Sequence, residues 1–484
     1  MTTTTMRSTM QRPATALTGH RVRRAAALAL AAMLFAAGCG GSGGGGLPNE
    51  IRIRVLHFSP DSPRINVLVD DTIVRSGVDY KGGTGFLGVT SDRAYDFAID
   101  AILPTANVRI LELPQVALEG GNEFTLVAVG KAGNDSVEAI QIPAPINFPN
   151  TGRFRVRLLH AAPDPAVGAV DVYLTSPDVD LATVSPAATL DYKQFTDRVE
   201  FSAGTYRVRI TPAGVPGTVV FDSGSLEFPP GRDLLVGVVE NTGIGSSPVS
   251  LVLDNGLNQP QVFDRSTGAE ARVLHFSPNT PAIRVTADPA TAGSADVDLT
   301  AGYVDGLPFP EITPYQPLPA DTYAVRGFEF GAPTTQVFGI TPLLLGGSQL
   351  SVLFTGLKAA GDVPSTQAAV AIFDNVRPIG DVGQARFING SPASGPVDVY
   401  VLPVGTSGIT GQLPISRSVA LGVATAYFQF EPGNYTVSVA TSGTTNVVVA
   451  DNLPLTPGSA FTVLTRDAAG GGTPLGIVVE DDLD

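Results

Sequence analysis

The sequence predicts an all-β protein of four tandem β-sandwich domains following a cleavable leader. Three observations carry that prediction. Side-chain polarity alternates with the period of a strand, and no segment after the leader shows helical periodicity. A set of short motifs recurs at intervals near 110 residues. Gly 54 and Pro 39 together place a turn-forming residue about every five positions. A chain of 484 residues accommodates several domains of ordinary size. Its 43% hydrophobic and 15% charged content is too apolar for disorder.

The leader comes first. Residues 1–38 hold Arg7, Arg12, Arg21, Arg23 and Arg24 and no acid. The last three precede an apolar run from Ala25 to Gly38, too short to span a bilayer but of signal-peptide length. The run ends Leu34-Phe35-Ala36-Ala37-Gly38-Cys39, and Cys39 is the only cysteine. This resembles a bacterial lipoprotein signal, in which a small residue precedes the cysteine that becomes the lipidated N-terminus. Ala36 departs from it, standing where Leu is more usual. The resemblance implies palmitate or a similar acyl group on Cys39. Gly40 is not the acidic residue linked to inner-membrane retention, so the resemblance also implies the outer membrane. Residues 40–46, Gly-Gly-Ser-Gly-Gly-Gly-Gly, form a flexible tether of roughly 15 Å end to end. With Cys39 acylated the chain has no disulfide, so burial alone must stabilise each domain.

The repeats follow. His57, His160 and His275 lie in matching contexts: Arg54-Val55-Leu56-His57-Phe58-Ser59-Pro60, Arg157-Leu158-Leu159-His160-Ala161-Ala162-Pro163 and Arg272-Val273-Leu274-His275-Phe276-Ser277-Pro278. A fourth copy, Arg386-Phe387-Ile388-Asn389-Gly390-Ser391-Pro392, carries Asn in place of His. A second strand then recurs as Ile65–Val69, Val170–Leu174, Ile283–Val285 and Val397–Tyr400. A turn-and-tyrosine element recurs at Tyr206, Tyr323 and Tyr435, with a degenerate copy at Asp92-Arg93-Ala94-Tyr95. Three copies close on a similar tail: Leu253-Asp254-Asn255, Phe373-Asp374-Asn375 and Val479-Glu480-Asp481. A period this long suits tandem domains rather than a solenoid.

These copies resemble the DUF4397 family of exported bacterial proteins, through the Arg-Val-x-His-x-Ser-Pro opening, the Val-Asp-Val-Tyr strand and the Gly-x-Tyr-x-Val strand. The resemblance covers nearly all of residues 50–484 and brings no catalytic residue with it. The layout expected is a signal peptide over 1–38, the lipidated cysteine and tether over 39–49, and sandwiches over 50–147, 151–257, 268–377 and 384–484. The sandwiches are expected to be immunoglobulin-like or transthyretin-like. A true immunoglobulin domain is excluded by the lack of a cysteine pair and of tryptophan. The Gly-x-Tyr element is read as a tyrosine corner, whose hydroxyl bonds back to the backbone. Short linkers near 143–151, 255–268 and 375–384 predict a semi-rigid rod.

Candidate chemistry is sparse. Phe154, Val156, Leu158 and His160 share the inward phase of their strand, while Arg153, Arg155 and Arg157 share the other. The His column is therefore read as structural, each ring bonding a nearby turn, and Asn389 can do the same. Ser59 and Ser277 follow a histidine by two places, but Ala162 fills that place in the second copy, so no nucleophile is assigned. Gly82-Gly83-Thr84-Gly85 lacks the lysine and helix of a phosphate loop. The acidic pairs Asp70-Asp71, Asp178 and Asp180, and Asp296 and Asp298 fit no calcium-loop spacing. Glu480-Asp481-Asp482 and Asp484 read as a solvated tail. No catalytic residue, metal or cofactor is expected.

Without the leader the chain has 25 basic and 45 acidic residues, a charge of −20, which repels nucleic acid. The expected protein is a non-enzymatic envelope lipoprotein. It would be bound to the membrane by its lipid and would present loops or strand edges to a protein or polysaccharide. Aromatic loop residues such as Tyr80 and Phe86 point to binding. The alternatives are a purely structural spacer and a metal-dependent or hydrolytic enzyme.

Overall fold

The computed structural model describes residues 50–90, 93–361 and 364–483. The leader, Cys39, the glycine tether, Asp92 and Asp484 lie outside the described residues.

The first sandwich contains β1 (Glu50–His57), β2 (Ile65–Val69), β3 (Thr72–Val78), β4 (Leu87–Thr90), β5 (Ala94–Ile102), β6 (Asn107–Ala117), β7 (Asn122–Val129) and β8 (Glu138–Pro145). The second contains β9 (Arg153–His160), β10 (Val170–Thr175), β11 (Ala188–Leu190), β12 (Val199–Ser202), β13 (Gly204–Pro212), β14 (Phe221–Phe228), β15 (Asp233–Glu240), β16 (Val249–Asp254) and β17 (Gln261–Val262). The third contains β18 (Ala269–Phe276), β19 (Ile283–Pro289), β20 (Val297–Asp298), β21 (Gln316–Leu318), β22 (Asp321–Glu329), β23 (Ala332–Ile340), β24 (Leu343–Leu344), β25 (Gln349–Thr355) and β26 (Ala368–Asp374). The fourth contains β27 (Gly383–Asn389), β28 (Val397–Pro403), β29 (Ser416–Val419), β30 (Phe428–Phe430), β31 (Gly433–Thr441), β32 (Val447–Leu455), β33 (Ala460–Arg466) and β34 (Gly476–Asp481).

Each sandwich repeats one topology. In the first, one sheet runs β4-β1-β7-β8 and the other β3-β2-β5-β6. The histidine strand β1 is central, antiparallel to β4 and parallel to β7. The same parallel pairing joins β9 to β15, β18 to β25 and β27 to β33. An immunoglobulin sandwich instead places its first strand beside its second, so the transthyretin-like member of the expected pair remains. Local chemistry sets the hairpins. Asp70 and Asp71 both take positive φ, 49° and 57°, in the two-residue turn between β2 and β3, and acidic and amide side chains tolerate that region better than most.

Each sandwich has one main core, and the fourth adds a small cluster of Tyr400, Ile409 and Ala440. Two more lie between sandwiches. Leu56, Phe58, Val127 and Ile142 of the first pack on Leu159, Leu235, Val239 and Val252 of the second. Leu274, Phe276, Leu353 and Ile372 of the third pack on Ile388 and Leu464 of the fourth. The sheets holding the histidine strands are thus buried on both faces, as parallel pairings usually are. Close approach demands small residues. A Cβ on Gly237 would stand 2.6 Å from the Phe58 ring, and one on Gly390 2.7 Å from the Phe276 ring.

The short linkers behind the expected semi-rigid rod are not the only connection between neighbours. The sandwiches associate sheet to sheet in two pairs, because the outward face of each histidine strand is apolar at Leu56, Leu159, Leu274 and Ile388. The linker after the third sandwich also ties the pairs together. Arg377 donates to the carbonyls of Pro60 at 2.8 Å and Ser62 at 2.6 Å, and pairs with Asp79 at 2.9 Å.

Candidate functional site

Each signature histidine lies at the end of its strand or one residue before it, fully buried and bonded on the turn side. His57 Nε2 lies 3.0 Å from the Pro63 carbonyl, and the Ser59 N–H donates to Nδ1 at 3.4 Å. His160 makes the same two bonds, to the Gly168 carbonyl at 2.8 Å and from the Ala162 N–H at 3.4 Å. His275 keeps the first, 3.2 Å from the Pro281 carbonyl, and its Nδ1 has no partner. Facing an acceptor at Nε2 and a donor at Nδ1, the ring is neutral with its proton on Nε2. Burial holds His57 and His275 down at about 4 and lowers His160 as well. Asn389 reproduces the pattern: Nδ2 donates to the Gly395 carbonyl at 2.9 Å, and Oδ1 accepts from the Ser391 N–H at 3.2 Å.

The tyrosines tie back to the turn before them. The hydroxyls of Tyr206, Tyr323 and Tyr435 donate to the carbonyls of Ser202, Pro319 and Glu431 at 2.9, 2.9 and 2.7 Å. Tyr95 reaches one residue further back, bonding the N–H, hydroxyl and carbonyl of Thr90 at 3.1, 2.9 and 3.1 Å. A threonine column escaped sequence reading. Thr84, Thr196, Thr313 and Thr425 accept at Oγ1 from the backbone N–H of Val55, Leu158, Val273 and Phe387, at 2.9–3.0 Å. Its sequence signal is a threonine two residues before Phe86, Arg198, Tyr315 and Tyr427. The loop Gly82–Gly85 is therefore packed against β1 through Thr84.

The most polar constellation lies between the paired sheets. In the third–fourth pair, Arg272 meets Asp482 at 2.5 Å and Arg386 meets Asp374 at 2.5 Å, all buried. Each guanidinium also donates through Nε, Arg272 to Ser351 at 2.9 Å and Arg386 to Thr462 at 2.8 Å. Each carboxylate accepts a tyrosine hydroxyl, Asp374 from Tyr315 at 2.6 Å and Asp482 from Tyr427 at 2.8 Å. Those rings lie under Arg272 and Arg386. Burial alone would lower both arginines, but the surrounding carboxylates and tyrosines outweigh it and raise them. Burial raises Tyr315 and Tyr427, keeping them protonated donors. Asp482 is thus a buried ion-pair partner, which corrects the reading of residues 480–482 as a solvated tail.

The first–second pair is built differently. Arg54 pairs with Asp254 and donates to Thr125 at 2.8 Å, but it stacks on Phe86, which has no hydroxyl. The equivalent Arg157 has neither anchor. Leu235 stands at the strand register of Ser351 and Thr462, and Ala144 at that of Asp374. Arg157 Nε consequently has no partner, and Nη1 has only the Pro143 carbonyl at 3.3 Å. Arg198 occupies the tyrosine position and pairs instead with Glu123 and with Asp233, the latter at 3.3 Å. Burial outweighs the nearby carboxylates and lowers both Arg54 and Arg157.

Several of the remaining candidates have local partners. Asp70 pairs with Arg93, Asp71 with Arg109 and Asp298 with Arg284, while Asp180 caps a short 3-10 turn. Ser59 and Ser277 donate to the carbonyls of Gly130 and Gly356 at 2.7 and 2.8 Å. Tyr80 is buried and donates to the Glu240 carbonyl of the second sandwich at 2.7 Å. Tyr80 and Phe86 serve the sheet interface, so the expectation that they form a binding loop is corrected. Among the described residues, no group of three His, Cys, Asp or Glu side chains is close enough to hold a metal ion.

The model of the family described as a domain of unknown function, DUF4397, matches residues 51–173, 165–286, 269–400 and 383–484. No curated protein matches the chain. Among solved structures, the Bacillus anthracis TIE protein aligns over 87% of this chain and 68% of its own, at 10% identity and a TM-score of 0.13. The family matches span the chain from the first sandwich to the last residue, and the chain belongs to the DUF4397 family.

Proposed function

We propose that this DUF4397 protein is a non-enzymatic envelope lipoprotein, anchored through Cys39, whose outer sheets offer strand edges to a protein or polysaccharide partner. The supporting observation is what sheet pairing leaves over. One sheet of every sandwich is covered, and the other keeps long outermost strands: β6 with 11 residues, β23 with 9 and β32 with 9. Most β6 side chains are exposed, Val108 among them. An outermost strand presents unpaired N–H and C=O groups, to which an extended segment can add. The signature histidines favour the non-enzymatic reading, because the rings are buried and each Nε2 is engaged by a backbone carbonyl.

Two measurements test this. Cys39→Ser should move the protein from membrane to soluble fractions, and an unchanged distribution would reject the anchor. The mature chain should capture a protein or glycan from envelope extracts and glycan arrays. Val108→Lys and Val447→Lys, on β6 and β32, should weaken that capture. Capture indifferent to both variants would move binding away from the edges. No capture at all would leave a structural spacer.

A further inference from the structure

We infer that the interface between the first and second sandwiches holds a small monovalent anion, of chloride size, beside Arg157. This goes beyond the proposed function and does not depend on it. A cavity of about 10 Å³ lies there, lined by Arg54, Arg157, Arg198, Glu123, Asp233 and Ala144 among others. That is room for one water-sized occupant.

Charge selects the occupant. Four guanidiniums meet three carboxylates: Arg54 with Asp254, Arg198 with Glu123 and Asp233, Arg155 with Asp233 at 2.5 Å, and Arg157 with none. Asp197, which is exposed, and Asp233 both attract Arg157, but neither forms an ion pair with it, and burial outweighs them. Arg157 is itself only 8% exposed, and its Nε has no hydrogen-bond partner. A buried cation with no directly paired carboxylate is disfavoured. The other pair shows what belongs there: Asp374, at the position of Ala144, neutralises Arg386. Alanine removes that carboxylate and leaves space. An anion entering the space restores the balance. Glu123 and Asp233 also line the cavity, and Arg198, which pairs with both, offsets their repulsion.

The test is thermal unfolding of the full chain in sodium chloride against sodium gluconate, at constant ionic strength. Chloride should give a saturable rise of about 2–4 °C in Tm at roughly ten times its Kd. Ala144→Asp, which supplies the missing carboxylate internally, should abolish the dependence. Arg157→Met should abolish it too, and it keeps the test open if the first variant fails to fold. Equal melting in both salts would overturn the inference in favour of a water molecule. A chloride response that survives in the folded variants would overturn it in favour of an adventitious ion only.

Discussion

The two sheet-to-sheet interfaces share a backbone frame and differ in how they neutralise the same arginines. Between the third and fourth sandwiches, each of Arg272 and Arg386 has a carboxylate, a hydroxyl and a tyrosine ring. Between the first and second, Arg54 keeps the carboxylate and hydroxyl, and Arg157 keeps neither. The substitutions are coordinated within the molecule. Where Ala144 replaces the aspartate, Phe86 of the same sandwich replaces the tyrosine that would have donated to it. The difference teaches that the arginine is part of the fold's frame, while its neutralising partners vary locally. A buried ion pair contributes little net stability once desolvation is counted, but half of one is costly.

Equivalent substitutions should therefore have opposite consequences, and this is the largest effect expected. Arg386→Met leaves Asp374 buried without its cation and should cost about 3–5 kcal/mol in urea unfolding. Arg157→Met, at the equivalent position, removes an unpaired charge and should be neutral or stabilising in chloride-free buffer. Equal losses at both sites would break the comparison. It would mean that the two arginines act through packing of their aliphatic stems.

Acid should separate the sandwiches next. In the unfolded chain His57 and His275 take up a proton near pH 6.5, but in the fold only near pH 4. Between those values the unfolded state binds more protons, so stability falls as pH drops from about 6.5 to 4 and levels off below. Each of these two histidines contributes about 3 kcal/mol across that window. The fourth sandwich, with Asn389, lacks this histidine contribution. His57→Asn with His275→Asn should flatten the stability–pH curve between pH 4 and 6.5 and cost stability near pH 7. An unchanged acid slope would show that these two histidines do not set it.

Much of this frame was legible in the sequence. The repeat, the inward histidine phase and the tyrosine tie are local features of one strand and its turn, and Asn389 disclosed the kind of bond His makes. The pairing was not legible in the same way. The sequence places Arg157 with Arg153 and Arg155 on the phase opposite His160, and nothing local to that strand says that the face is covered. The burial of the interface arginines depends on partners as distant in sequence as Arg272 and Asp482. One signal was available: Leu56, Leu159, Leu274 and Ile388 share that outward phase. An apolar residue recurring there in every copy marks a face that something covers. The acidic tail was misread for the same reason, since Asp482 gains its meaning only from Arg272 and Tyr427.

The smallest expected effect serves as a control on the comparison, because the tyrosine tie lies away from both interfaces and occurs in all four sandwiches. Tyr→Phe removes one hydroxyl and leaves the ring packing intact. Loss of a neutral hydrogen bond costs roughly 0.5–1.5 kcal/mol, with the upper end reserved for an acceptor left buried. Tyr323 and Tyr435 bond carbonyls at part-buried positions, so Tyr323→Phe and Tyr435→Phe should fall within that range. Tyr206 makes its bond at an exposed position, where water replaces the hydroxyl, and Tyr206→Phe should cost less. Tyr95 engages three atoms of Thr90 in the one copy whose turn is shifted, so Tyr95→Phe should cost most. The order Tyr95, then Tyr323 and Tyr435, then Tyr206 follows local geometry and crosses the boundary between the two pairs. Thermal melts that instead grouped Tyr95 with Tyr206, and Tyr323 with Tyr435, would show that interface strength sets the response of each pair. The tyrosine tie would then be coupled to the arginine clusters rather than independent of them.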